Sequence, residues 1–321
     1  MEAKNVNLEN IEPDEDIKNR DRHWTLYLVY NFIKKPGQHM LEMGKTNSGK
    51  TQFLYWLVDK FLEAAPKEAL VWFDIGKSQY DPESPYKESG NEILTLLYYF
   101  SPVRIILLTG CDIEIISKYP FDVEIVHVPT ADKVWEQIDN SRLNIISIDP
   151  YIENEIIYSD QIAQMFRRLI WLANRSRIYR PMTIFYDEFH NVCPSHSTVS
   201  DNRSSRQQTK INGIMKRNIQ KLRSIGIRII ATSHNYTQLF KPIRQSFEWL
   251  VPRRGTTFYG SDEYVLSNFN PRWRKMASSQ AYIVKPAGDH IGPLNYPLYA
   301  IPHDIGAVRY RGIYGEEPEW E

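Results

Sequence analysis

From residue 38 to residue 233 the chain alternates between short apolar runs and longer amphipathic stretches. The runs fall at 38–43, 69–74, 104–109, 123–128, 144–149, 182–187 and 227–233. Runs this short and this apolar, bounded by Gly, Pro or Asp, fit strands buried on both faces of a mostly parallel sheet. Between them, apolar residues recur at helical spacing. They are Phe53, Leu54, Leu57 and Phe61 within 51–65; Ile162, Met165, Phe166, Leu169 and Leu172 within 159–175; and Ile214, Ile219 and Leu222 within 211–225. This alternation predicts an α/β fold, a three-layer sandwich around a mostly parallel central sheet. Two polar stretches, 76–92 and 192–210, are long enough to read as functional or mobile loops.

Outside this pattern, residues 1–22 contain Glu12-Pro13-Asp14-Glu15-Asp16 and read as an acidic flexible arm. Trp24 to Lys35 reads as a short helix or strand closed by Pro36-Gly37. One domain is expected over 23–305, followed by a C-terminal tail over 306–321.

Composition narrows the class. With 321 residues, 42% hydrophobic and 24% charged, the chain resembles an ordinary globular protein with a sizeable core. Its two cysteines, Cys111 and Cys193, make no disulfide framework. The start lacks a signal-peptide layout, and no apolar run approaches the roughly 20 residues of a membrane helix. A soluble, cytoplasmic protein is expected. Its net charge of zero hides a split: residues 1–160 carry 16 Lys and Arg against 27 Asp and Glu, and residues 161–321 carry 23 against 12. Such a split marks either an anionic partner for the second half or two halves that attract each other.

The chemistry begins after the first run. Gly44-Lys45-Thr46-Asn47-Ser48-Gly49-Lys50-Thr51 matches the P-loop pattern in full, with an apolar strand before it and an amphipathic helix after it. Glycines let the backbone curl around a polyphosphate, and the helix N-terminus adds its positive dipole end. Residues 44–51 and Gln52 are the candidate nucleotide contacts, with Lys50 on the β- and γ-phosphates and Thr51 on Mg²⁺. The expected cofactors are ATP and Mg²⁺. A second run ends in Asp187-Glu188. Asp187 would support the metal, and Glu188 would polarise the attacking water as catalytic base. Ser233-His234-Asn235 ends the next run, where His234 could contact the γ-phosphate.

Taken in order, these motifs resemble the HerA/FtsK superfamily of ring-forming, DNA-pumping ATPases. Phe73-Asp74-Ile75-Gly76-Lys77-Ser78 resembles the family's strand-two region with its order altered. Asp187-Glu188-Phe189-His190-Asn191-Val192-Cys193-Pro194 resembles its acid-pair strand exit, and Gln220 to Ile227, running on to His234, resembles its translocase stretch. His234 stands where the family carries a glutamine. The resemblance implies a RecA/FtsK-like sheet of the additional-strand, catalytic-glutamate type, and a homo-oligomeric ring, hexameric or pentameric. The N-terminal β-barrel of cellular HerA members has no counterpart here, which favours a core-only motor of viral or mobile-element type, working in the host cytoplasm if viral.

Residues 202–228 hold eight basic side chains and no acid: Arg203, Arg206, Lys210, Lys216, Arg217, Lys221, Arg223 and Arg228. Such a stretch suits a phosphate backbone, and the alternative is a solvated helix face. Arg203, Arg206, Lys210, Lys216 and Lys221 are the candidate nucleic-acid contacts. Arg223 and Arg217, then Arg254 and Arg274, are candidates for an arginine inserted into a neighbour's site. His190, Cys193 and His196 have metal-like spacing but lack an evident fourth ligand. The expectation is an ATP-hydrolysing ring motor that translocates double-stranded DNA, of the kind that packages viral or mobile-element genomes, with a portal, capsid or secretion complex as partner. The alternative is a secretion, morphogenesis or conjugation ATPase that moves protein or nucleoprotein.

Overall fold

The computed structural model describes residues 15–74, 79–80, 87–88, 91–148, 155–195, 202–259 and 264–311. The described α-helices and β-strands begin with α1 (Glu15–Leu28), which runs into a π turn (Val29–Ile33), then β1 (Met40–Met43), α2 (Lys50–Ala64) and β2 (Ala69–Asp74). Two short strands, β3 (Gln79–Tyr80) and β4 (Lys87–Glu88), precede α3 (Asn91–Phe100), β5 (Val103–Leu108), β6 (Asp112–Ile116) and β7 (Val123–Val128). Next come β8 (Leu143–Ser147), α4 (Glu155–Asn174), β9 (Met182–Tyr186), α5 (Asn202–Ser224) and β10 (Ile227–Ser233). The last are α6 (Lys241–Arg244), β11 (Trp249–Pro252), α7 (Tyr264–Ser267), α8 (Asn270–Arg274), β12 (Gln280–Val284), β13 (His290–Asn295) and β14 (Ala307–Arg311).

Ten strands form one sheet in the order β13-β12-β11-β1-β10-β9-β2-β8-β5-β7. From β11 through β7 every neighbouring pair runs parallel, and β12 and β13 extend the edge antiparallel. All seven apolar runs became strands of this sheet. Their side chains feed two cores: Leu70 and Trp72 of β2 face one, while Ala69, Val71 and Phe73 face the other. Helix α2 lays Phe53, Leu54, Leu57 and Phe61 on the first, all fully buried. Each such side chain contributes about 1.5–3 kcal/mol by leaving water. Helices α4 and α5 cover the opposite face through Phe166, Leu169, Met215 and Ile219. The expected three-layer α/β sandwich is therefore present. Strand β10 lies between β1 and β9, so the strands leading to the glycine-rich loop and to the acid pair are separated by one added strand, as expected.

Four expectations change. Residues 15–22, read as part of a flexible arm, belong to α1; Asp21 accepts hydrogen bonds from the backbone and side-chain amides of Asn295, which dock the helix across β13. Residues 1–14 lie outside the described residues. Residues 307–311, read as tail, form β14 in a second, four-stranded sheet of order β3-β4-β14-β6. The stretch 192–210 is loop only in part, because α5 starts at Asn202, nine residues before the expected helix. The stretch 76–92 contains β3, β4 and the start of α3. The family-like residues Ile75 to Ser78 lie outside the described set.

Candidate active site

Parallel strands deliver their functional residues to one edge, and ligands of such sheets bind outside the carboxyl ends of the strands. Here β1 ends at Met43 and β9 at Tyr186, while β10 ends at Ser233 and β11 at Pro252. The glycine-rich loop, the acid pair, His234 and Arg253 therefore converge. Thr46 to Gln52, Asp187, Glu188, His234, Ser278 and the segment Leu298 to Ala300 line a cleft of about 530 Å³.

The loop's shape follows from its glycines. Gly49 caps α2 at φ 85°, and an added Cβ would lie 2.1 Å from the Ser278 carbonyl oxygen. The Lys50 ammonium donates to the carbonyls of Gly44 at 2.9 Å and Lys45 at 3.3 Å, spanning the loop from inside. Two expected contacts stand apart from the cleft wall. Gly44 packs against Arg253 and Ser48, and the Lys45 side chain lies over Gly255, where an added Cβ would meet its Cγ at 2.7 Å.

Opposite the loop, the Thr51 hydroxyl donates to Asp187 Oδ2 at 3.2 Å. Asp187 Oδ1 accepts from the Thr232 hydroxyl and from the Glu188 backbone amide. That amide also lies 2.9 Å from Thr232 Oγ1, so the added strand β10 fixes the acid pair from its side. Glu188 sits in the left-handed region, φ 53°, a conformation uncommon for a residue with a side chain. This turn places Glu188 Oε1 3.5 Å from His234 Nε2, with the Asn191 amide 3.4 Å from Oε2. The His190 ring lies 5.1 Å from that of His234. Burial, with help from His234 and Lys50, drops the His190 pKa to about 4, so it is neutral at pH 7. Cys193 is fully buried, which pushes its thiol up, and His196 lies outside the described residues. Among the described residues no group of three or more His, Cys, Asp or Glu is placed to hold a metal.

The floor and far wall were not legible from the motifs. Beneath the loop, Arg253 Nη2 donates to the carbonyls of Ser48 at 3.0 Å and Ser278 at 2.5 Å and to the Tyr296 hydroxyl. Its Nε lies 3.2 Å from Glu42 Oε1, and neither side chain is exposed. Glu42 interrupts the otherwise apolar Met40-Leu41-Glu42-Met43, the one sequence sign of this pair. The wall at Tyr299 is clamped by Gln52, whose Oε1 accepts from the Tyr299 amide at 2.6 Å and whose Nε2 donates to its carbonyl at 3.4 Å. Gln52 therefore lines the cleft and also supports its wall.

The basic stretch divides. Arg206, Lys210, Lys216, Arg217, Lys221 and Arg223 are exposed on α5, and the side chain of Arg203 lies outside the described set. Arg228 is a correction. It is fully buried in β10, and its Nη2 donates to the carbonyls of Phe32, Ile33 and Lys35 at 2.8–3.1 Å. It stacks on Phe32 and Phe61 and closes the end of the π turn, where helical carbonyls lack partners. Arg223 pairs with Glu248 at 2.5 Å beside the start of β10, at the edge of the sheet away from the cleft. Neither Arg223 nor Arg217 lines the cleft of its own chain. Arg254 reaches the Asn47 carbonyl at 2.9 Å, and Arg274 ends α8.

No protein-family model and no curated protein matches the chain. Among solved structures it is similar to the genome packaging NTPase B204 from Sulfolobus turreted icosahedral virus 2 in complex with ATP-gammaS, at 9% identity. That match covers 81% of this chain and 98% of the other, with a TM-score of 0.43. The DNA-packaging ATPase B204 from Sulfolobus turreted icosahedral virus is similar at 10% identity, over 80% of this chain and 97% of that one, with a TM-score of 0.44. The cytoplasmic domain of the Thermomonospora curvata type VII secretion ATPase EccC is similar at 13% identity, over 89% of this chain and 24% of that one, with a TM-score of 0.39.

Proposed function

We propose that this chain hydrolyses ATP and couples hydrolysis to the movement of double-stranded DNA, working as a ring of identical subunits. The observation that carries the first half is the meeting of Thr51 with Asp187 at 3.2 Å across the cleft, with Glu188 beside them. A hydroxyl and a carboxylate held this close form a hard-oxygen pair suited to Mg²⁺, which when bound would neutralise phosphate charge. Lys50 is placed to exchange its two loop carbonyls for phosphate oxygens. The loop amides and the start of α2 receive the remaining charge. Glu188, turned into the cleft by its backbone, accepts the proton of the attacking water. His234 links that base to the end of β10, so the carboxylate and the added strand respond together.

The exposed cations of α5 support the second half, because a sequence-independent motor grips phosphates rather than bases. The motif resemblance supports the ring, and packaging of a viral or mobile-element genome is the process we propose. An arginine acting on a neighbouring copy would come from Arg223, which stands away from its own cleft, since Arg217 faces the groove between α4 and α5. Phosphate release measured with and without duplex DNA tests the reading. Wild-type protein is expected to turn over ATP faster with DNA. Glu188→Gln is expected to bind ATP yet lose at least about a hundredfold in turnover. Normal hydrolysis by that variant would remove Glu188 as the base. Hydrolysis indifferent to DNA would favour a motor that moves protein.

A further inference from the structure

We propose that the shallow groove between α4 and α5 is a track for the phosphodiester backbone of duplex DNA, with Gly213 as its point of closest approach. The inference rests on the DNA-motor reading and adds the site. The groove holds about 760 Å³ and is lined by Arg167 from α4 and by Lys210, Gly213, Lys216 and Arg217 from α5. All four cations are exposed, and none is paired with a carboxylate among the described residues. Their neighbour Arg168 behaves otherwise: it is held by Glu136 at 2.5 Å and stacks on Trp171. Arg167 alone of the two turns toward α5.

Gly213 is the second, independent observation. It sits in the middle of a 23-residue helix, where glycine weakens the structure relative to alanine. Nothing among the described residues asks for it. Beyond its chain neighbours and the backbone of its own helix, an added Cβ would meet no described heavy atom within 4 Å, and its φ is not among the positive values. The open position faces outward into the groove, where the missing side chain lets another backbone lie against the helix.

The spacing fits an extended polyanion. Arg206, Lys210, Gly213, Arg217 and Lys221 recur every three or four residues and share one face of α5. The opposite face, with Ile211, Met215, Ile219 and Leu222, is buried in the core. From Arg206 to Lys221 the stripe runs about 22 Å at 1.5 Å per residue, or roughly six base-pair steps at 3.4 Å. Among the described residues no aromatic side chain lines the groove, so they offer no platform for unstacked bases, which favours a duplex over a single strand.

The test is fluorescence anisotropy of a short labelled duplex over a salt series, with the full chain and ATPγS. Arg167→Gln is expected to lower the slope of log affinity against log salt by about 0.9, the share of one phosphate contact. Gly213→Leu is expected to weaken binding at every salt concentration with the slope unchanged. Its melting temperature is expected to be no lower than wild type, because leucine is the better helix former. Wild-type affinity and slope in both variants would overturn the track. If the wild-type chain binds no duplex at any salt, the motor reading falls and the track with it. A wild-type slope in Arg167→Gln accompanied by loss of DNA-independent hydrolysis would assign the groove to a neighbouring copy's nucleotide, which also overturns the proposal.

Discussion

The Glu42 carboxylate and the Arg253 guanidinium meet at 3.2 Å beneath the phosphate loop, with neither side chain exposed. Burial holds the Glu42 acid well above the usual carboxylate range, against the opposing pull of Arg253 and Lys50. Removing one partner of a buried pair strands the other, at about 3–5 kcal/mol. Arg253→Met is expected to lose that much stability in urea unfolding. Glu42→Leu combined with Arg253→Met is expected to recover part of it, because no charge remains buried. A double variant no more stable than Arg253→Met would show that the pair is not the source of the loss.

His39 is built to be neutral. Its Nδ1 accepts from the Ile229 amide at 3.1 Å and its Nε2 faces the Ile219 carbonyl at 3.0 Å, so Nε2 carries the single proton. Burial lowers its pKa from 6.5 to about 4, with Arg228 and Arg223 adding to the effect. The folded pKa is depressed, so the contribution is complete above pH 6.5 and is lost as pH falls toward 4, where only the unfolded chain binds the proton. At 1.36 kcal/mol per unit the loss approaches about 3 kcal/mol. His190 acts in the same direction. Urea unfolding from pH 7 down through pH 5 is expected to show falling stability, and His39→Gln, which keeps a donor and an acceptor, a shallower fall. Identical pH profiles would reject the assignment.

Gln52 fastens the cleft wall through both backbone groups of Tyr299. Gln52→Ala is expected to raise the KM for ATP severalfold with a smaller change in kcat, because it loosens binding rather than the base. The two lost hydrogen bonds predict about 1–3 kcal/mol of destabilisation. A fall in kcat with KM unchanged would place Gln52 in the chemistry instead.

Arg228→Met should separate fold from grip. Three carbonyls lose their donor, and Glu68, 3.9 Å from Nη1, loses its countercharge. A loss of about 3 kcal/mol or more is expected. Duplex affinity of the folded fraction is expected to keep its wild-type salt slope. A slope reduced by about 0.9 would return Arg228 to the nucleic-acid face.

Reading the sequence located the sheet well because its strands are buried on both faces. Val103–Leu108, Met182–Tyr186 and Ile227–Ser233 needed no partner to be recognised. The loop and the acid pair were legible for a similar reason, since their chemistry lies in consecutive residues. What escaped depends on distant chain. Thr232 grips Asp187 across 45 residues, and Gln52 meets Tyr299 across 247. The first turns of α5 were read as loop because Asn202-Arg203-Ser204-Ser205 has no apolar period and favours caps and turns. Arg228 looked like its exposed neighbours until the π turn, 195 residues away at Ile33, supplied its carbonyls.

Helix α5 passes into β10 through Ile225 and Gly226 alone. A pull along the helix therefore loads β10 lengthwise against β1 and β9, whose ladders on either side oppose sliding in shear rather than opening like a zipper. The covalent path from the basic face of α5 to Thr232 and His234 is therefore short, a two-residue turn followed by one strand. The added strand thus joins the exposed helix to the residues that hold the acid pair, and its ladders on both sides set how much it can yield along its length.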